Sequence, residues 1–180
     1  YIQNYGMALE AHMQNTIVNL GPNYKMKFIV RDLGGSRIDL NTLKQKVPQI
    51  DVTNESLIAD TIEEVIAKFQ HAVIQNQLAE LIHHFNQYDE VIEEELFEIV
   101  REEIEMAIDN DKPHAEKLKK ILFGSTITVK ALLSMRMENK VKKYLNTKLD
   151  NPIKKRCSAW RMFVSIYLKL NIMPKYFNRY

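Results

Sequence analysis

With 180 residues, the chain can hold one domain with a substantial core, or two small ones. Its 46% hydrophobic and 27% charged residues are those of an ordinary soluble globular protein, and no run approaches the eighteen apolar residues of a transmembrane helix. The net charge of +2 conceals a division: residues 1–111 carry 8 basic and 20 acidic side chains, whereas Lys112 onward carries 17 basic and 3 acidic. Two readings of that division stay open, solvated helix faces of opposite sign or a basic wall for an anionic small molecule. No recognised DNA- or RNA-binding motif accompanies the charge, so a nucleic-acid partner is not expected, nor is a membrane. The single cysteine, Cys157, excludes an internal disulfide and a self-contained iron–sulfur or Cys-rich zinc site, and it fits a reducing cytoplasm. The first residues, from Tyr1, lack the basic and apolar regions of a signal peptide; the chain is expected to be a piece of a longer cytoplasmic protein.

In chain order, residues 1–12 read as the end of a helix, with Tyr5, Leu9 and His12 on one face. Thr16 to Leu20 is a β-branched run, Gly21 to Tyr24 a turn cluster, and Lys25 to Val30 an alternating strand, together a β-hairpin over about 16–31. Gly34 and Gly35 mark a sharp bend. Asp39 to Asp51 reads as a loop with a short helix. Thr53 or Asn54 can cap a long helical stretch carrying Leu57, Ile58, Ile62, Val65, Ile66, Phe69, Val73 and Ile74, continued through Phe85. Further helices are expected over about Tyr88–Ile108, about His114–Leu122, from Val129 to Glu138 after a break at Gly124 to Thr128, and in the tail from Cys157 to Tyr180. The fold class is therefore α+β, mostly α-helical, with an N-terminal hairpin packed on a helical body. Residues 1–156 form the main unit and 157–180 a helical tail of unknown role.

The chemistry concentrates around the hairpin. Glu10, His12, Gln14 and Asn15 crowd four polar side chains in front of the first strand, and Arg31 and Asp32 follow the second. A hairpin brings the residue before its first strand near the residue after its second, so Asn15 and Asp32 should be neighbours. Mg²⁺ takes oxygen ligands, commonly one or two protein carboxylates or amides together with nucleotide phosphates. An Asn, a hairpin and an Asp followed by Gly repeat the layout by which kinases hold their metal, here with Asp32, Leu33 and Gly34 in the last place. Read one at a time, the same residues are ordinary turn formers. His83 and His84 point about 100° apart on a helix and suit no shared metal. The acidic run Glu93 to Glu95 and the cluster Arg101, Glu102, Glu103 read as a solvated helix face.

Glu10, Ala11, His12, Gln14 and Asn15, the hairpin, and then Arg31, Asp32, Gly34, Gly35 and Arg37 resemble the C-terminal (palm-like) part of the aerobactin synthetase-like family, which builds siderophores without a nonribosomal peptide assembly line. Lys130 and Arg136 resemble that family's later Lys and Arg, and Asn151 with Pro152 its C-terminal end; the resemblance covers roughly residues 1–152. It implies an ATP-dependent ligase in which a citrate-type carboxylate attacks ATP to give an acyl adenylate, and an amine or alcohol then displaces AMP. ATP and Mg²⁺ are the implied cofactors, because two anionic substrates must meet against their mutual repulsion. Glu10, Asn15 and Asp32 resemble the residues that hold Mg²⁺ and nucleotide, Gln14 a nucleotide contact, and His12 a catalytic residue facing the carboxylate and phosphate. Arg31 and Arg37 are either anion contacts or structural ion-pair partners. Lys130 and Arg136 are candidates for the substrate carboxylates; on a helix they would lie about 240° apart, so at most one points into the site, Lys130 being preferred.

Two departures follow. The chain lacks the preceding region, in which the family keeps a phosphate-binding segment, so 180 residues alone are expected not to catalyse: losing several charge-assisted contacts at about 1.5–3 kcal/mol each weakens ATP binding by orders of magnitude. The tail from Cys157 to Tyr180 does not match the family's usual ending. Homo-oligomerisation of the full-length enzyme stays open. The competing readings are a noncatalytic helical interaction module and a ferric-siderophore reductase or transport domain; the second needs a redox centre that one cysteine does not supply.

Overall fold

The computed structural model describes residues 1–87, 92–130 and 146–154. Its first helix is shorter than the sequence suggested: α1 spans only Ile2–Tyr5. Gly6 ends it in the left-handed region at φ 63°, where a Cβ would lie 2.8 Å from both the Asp39 carbonyl oxygen and Thr42 Cβ. The following residues are drawn out instead into strand β1 (Met7–Ala8), so Leu9 and His12 do not share a helix face with Tyr5. The hairpin forms as expected, from β2 (Thr16–Leu20) and β3 (Met26–Val30), in antiparallel register from Thr16 opposite Val30 to Leu20 opposite Met26. Its turn is closed by the Gly21 N–H donating to the Lys25 carbonyl at 2.9 Å, with Asn23 in the left-handed region at φ 57°. Strand β4 (Arg37–Ile38) pairs antiparallel with β1 and returns the chain to its start. Helix α2 (Leu40–Lys46) is capped by Asp39, whose carboxylate accepts from the Thr42 N–H at 3.1 Å.

The long helical stretch begins later than the sequence suggested. Asn54 does cap, but only a single 3₁₀ turn over Glu55–Leu57. Ile58 then forms a parallel bridge with Ile38, and the Ala59 N–H donates to the Ile38 carbonyl at 2.9 Å. That pairing holds the backbone extended until Thr61 caps α3 (Ile62–Phe69). The helix continues through a π-helical stretch, Gln70–Ala79, into α4 (Glu80–Asn86). Helices α5 (Ile92–Ala107) and α6 (Ala115–Leu122) complete the body. Its core is built from Ile62, Val65, Ile66, Ile74, Ile82, Phe97, Leu118 and Leu122, joined by Ala8 and Ile153. Within α5, Arg101 is not on a solvated face: it is 2% exposed and held between Glu98 at 2.5 Å and Glu105 at 3.4 Å, which raises its pKa above the ordinary value. His83 and His84 are both exposed.

Where a break and a helix from Val129 were expected, the chain instead forms β5 (Thr126–Lys130), paired antiparallel with β6 (Asn146–Asp150). The β-branched run Thr126, Ile127, Thr128, Val129 suits a strand once a partner lies beside it. Asn151 then locks this ribbon to α6. It is 1% exposed, and its side-chain amide donates to the carbonyls of Leu122 and Gly124, both at 2.8 Å. The Leu122 carbonyl is one that the helix end leaves without an intrahelical partner, and Gly124 follows just beyond the cap. The expected helix beyond residue 130 and the tail over 157–180 lie outside the described residues. Among the described residues no helix is long and apolar enough to cross a membrane.

Candidate functional site

The hairpin register gathers the polar residues of the N-terminal motif. Thr16 and Val30 are the last facing pair, so Asn15 and Arg31 stand at the hairpin's base, and the Arg31 N–H donates to the Asn15 carbonyl at 2.9 Å. Asp32, the next residue, turns the chain through a left-handed conformation at φ 58°. Its Oδ1 accepts from the Gly34 N–H at 3.2 Å, a local bond of the kind that lets Asp tolerate this region.

Asn15 is the buried member of the cluster, 5% exposed. Its amide nitrogen donates to the Glu10 carbonyl at 3.3 Å and lies 3.5 Å from His12 Nε2. The amide is thereby tied to the loop carrying both Glu10 and His12. His12 starts the 3₁₀ turn Met13–Asn15, and its carbonyl accepts from the Asn15 N–H at 2.9 Å and from the Thr16 hydroxyl at 3.1 Å. Gln14 is exposed, and its carbonyl accepts twice from the Arg31 guanidinium, at 3.2 and 3.1 Å. In this structure Arg31 therefore serves as a strut across the hairpin base. Arg37 donates to the Ser36 carbonyl at 2.9 Å. The Ser36 hydroxyl beside it is buried without a hydrogen-bond partner among the described residues.

Glu10 sits against the turn that follows Asp32. A Cβ added at Gly35 would come 1.4 Å from Glu10 Oε2, so the carboxylate occupies the space that only glycine leaves there. The Glu10 and Asp32 carboxylates thus border the same Gly34–Gly35 turn. Lys68, a residue the motif reading missed, reaches from α3 to Glu10, with Nζ 2.5 Å from Oε1. Its only trace in the sequence is a lone cation on an otherwise acidic and apolar helix turn, 58 residues from its partner. Behind the Glu10 loop lies a mostly apolar cavity of about 420 Å³, lined by Leu9, Ala11, Val30, Phe69, Ile104 and Ala107 among others.

Two expected site residues stand apart in what is described of them. Lys130 is the last residue of β5, and the ribbon it belongs to meets the π-helical stretch, where the Gln75 side chain donates to the Thr128 carbonyl at 3.4 Å. Arg136 lies outside the described residues. Among the described residues no group of three or more His, Cys, Asp or Glu side chains is arranged to hold a metal ion. The oxygen-bearing set at the hairpin base is two carboxylates and an amide.

Known proteins place this architecture. The chain is 72% identical over 155 residues to staphyloferrin A synthase of Staphylococcus aureus, covering 86% of this chain and 26% of that protein. It is 27% identical over 168 residues to D-ornithine–citrate ligase of the same organism, again covering 26% of the relative. Its fold matches ATP-bound aerobactin synthetase IucA of Klebsiella pneumoniae with a TM-score of 0.68 at 19% identity, over 86% of this chain and 27% of that one. The chain thus spans about a quarter of the length of the curated relatives it matches. The resemblance to siderophore synthetases read from the Glu10–Asn15 and Arg31–Arg37 motif is borne out. The family model described as the ferric iron reductase FhuF-like transporter matches residues 1–145, and the chain belongs to that family.

Proposed function

We propose that this chain forms one wall of the active site of a longer cytoplasmic, ATP-dependent siderophore synthetase. In that enzyme a carboxylate of citrate or a similar acid attacks ATP, releasing pyrophosphate and leaving an acyl adenylate. An amine or alcohol then attacks the acyl carbon and releases AMP, forming an amide or ester. The observation that carries this reading is the gathering of Glu10, Asn15 and Asp32 at the hairpin base in a chain 72% identical to a siderophore synthase.

The donor set suits Mg²⁺. Glu10 and Asp32 offer carboxylate oxygens, and Asn15, whose amide nitrogen is engaged on the Glu10 carbonyl, keeps its amide oxygen for a ligand. These three would hold the ion, which when bound offsets the charge of the nucleotide phosphates. Gln14 and Arg31 contact the nucleotide, the latter by leaving or extending its contact with the Gln14 carbonyl. His12 faces the reacting carboxylate, and Arg37 together with one of Lys130 and Arg136, Lys130 being preferred, binds substrate carboxylates. The missing share of the enzyme supplies the remaining phosphate contacts.

The family's description as a ferric iron reductase and transporter motivates the rival reading. It would require an iron centre, and the chain's one cysteine, Cys157, cannot hold an iron–sulfur cluster by itself. The test is an ATP–pyrophosphate exchange screen of the full-length protein over citrate and related acids. Exchange that depends on one of these acids supports the synthetase. No exchange with any of them, together with an iron-dependent visible absorption in the purified protein, would support the reductase.

A further inference from the structure

The Lys68–Glu10 ion pair joins two groups that the proposed reaction needs separately. Both side chains are largely shielded, at 15% and 28% exposure. A half-buried ammonium that loses its carboxylate is left poorly hydrated, and breaking such a pair is costly unless another partner arrives. Glu10 is in turn confined, because one carboxylate oxygen is on Lys68 and the other is packed against Gly35. A cation recruited by Glu10 must therefore compete with Lys68 for the same carboxylate. Lys68 can yield only if an anion takes over its charge.

We propose that Lys68 is an anion-binding residue held in reserve by Glu10: the pair opens when a cation takes Glu10 and an anionic group of the substrate takes Lys68. The anion is either a carboxylate of the acid substrate or a phosphate of the nucleotide. The two binding events are then coupled, and by linkage the coupling is the same in both directions. This inference rests on the synthetase reading and adds to it a residue outside the motif.

The coupling can be tested without metal or turnover. In the full-length protein with EDTA, citrate and ATP affinities are measured in separate calorimetric titrations. Glu10→Gln releases Lys68 without a cation, so one of the two anions should bind about tenfold more tightly, and which one identifies the source. In the double variant Glu10→Gln/Lys68→Met the gain should vanish, whereas Glu10→Gln/Lys68→Arg, which keeps the cation, should retain most of it. Thermal melting checks that each variant is folded, and Lys68→Gln replaces Lys68→Met if the latter is not. A gain that persists undiminished without Lys68 is general electrostatics and overturns the proposal, as does the absence of any gain in Glu10→Gln. If the unaltered protein binds neither citrate nor ATP even with Mg²⁺ present, the synthetase reading itself falls.

Discussion

The hairpin and the helical body are built by opposite rules. In the body, Val65, Ile66, Ile74 and Ile153 are fully buried, and Asn151 is buried with its amide satisfied. In the hairpin, Ile17, Val18, Leu20, Met26, Phe28 and Ile29 are all about half exposed or more, on both faces of the ribbon. A two-stranded ribbon is marginal by itself in water. Here it is anchored at its base, where Arg31 grips the Gln14 carbonyl and β1 pairs with β4. Stability resides in the body, whereas the hairpin contributes register: it sets Asn15 on the Glu10 loop and brings Arg31 and Asp32 to the same base. Damage to the two regions should therefore be read by different measurements.

The largest expected effect is on activity, from the hairpin base. Asp32→Asn in the full-length enzyme should lower the rate of product formation by about a hundred- to a thousandfold, as loss of a charge-stabilising group in an active site does. Its melting temperature should stay close to that of the unaltered protein, since Asp32 is exposed and its Oδ1 bond to Gly34 can be kept by an amide oxygen. An unchanged rate would favour the interaction-module reading. In the body the expectation reverses. Leu122→Ala removes a side chain that is 1% exposed, between α6 and the core, and should destabilise the fold by about 2–5 kcal/mol in denaturant titrations. The smallest effect is expected at the hairpin's outer face. Phe28→Ser, at a position 61% exposed, should change stability by no more than about 0.5 kcal/mol. A large loss there would show that the ribbon is part of the core.

A gentle acid effect should accompany these. Lys117 bonds to Glu63 at 2.7 Å and holds its carboxyl below the ordinary glutamate value. A lowered folded-state pKa contributes stability that is present above the ordinary value and is lost as pH falls through the folded one. Because the pair is exposed, Lys117→Ala should blunt only slightly the loss of melting temperature on acidification.

Much of this was legible in sequence where the interactions are local. The hairpin announced itself through β-branched residues, alternation and the Gly21–Pro22 turn, and its register follows once the turn is placed. Asn15 and Asp32 could be paired because hairpin geometry converts a sequence separation into proximity, whereas Glu10 joined them through the family resemblance. What escaped depends on partners far along the chain. Strand β5 could not be separated from a helix start without β6, which begins at Asn146. The late start of α3 depends on the bridge from Ile58 to Ile38, which competes with an adequate cap at Asn54. The burial of Arg101 depends on which way α5 faces. Lys68 was invisible for the same reason, since nothing near it in sequence says that α3 presents it to Glu10.

On the proposed function, the hairpin base is one wall of a synthetase site and needs the rest of the enzyme to act. The most direct measurement is ATP-dependent condensation of citrate with an amine, followed by AMP release, for the full-length protein and for the 180 residues alone. AMP release coupled to product is expected in the full-length protein and none above background from the 180 residues, even when they are folded. Condensation by the 180 residues alone, or its absence in the full-length protein across citrate-type acids and amines, would contradict it.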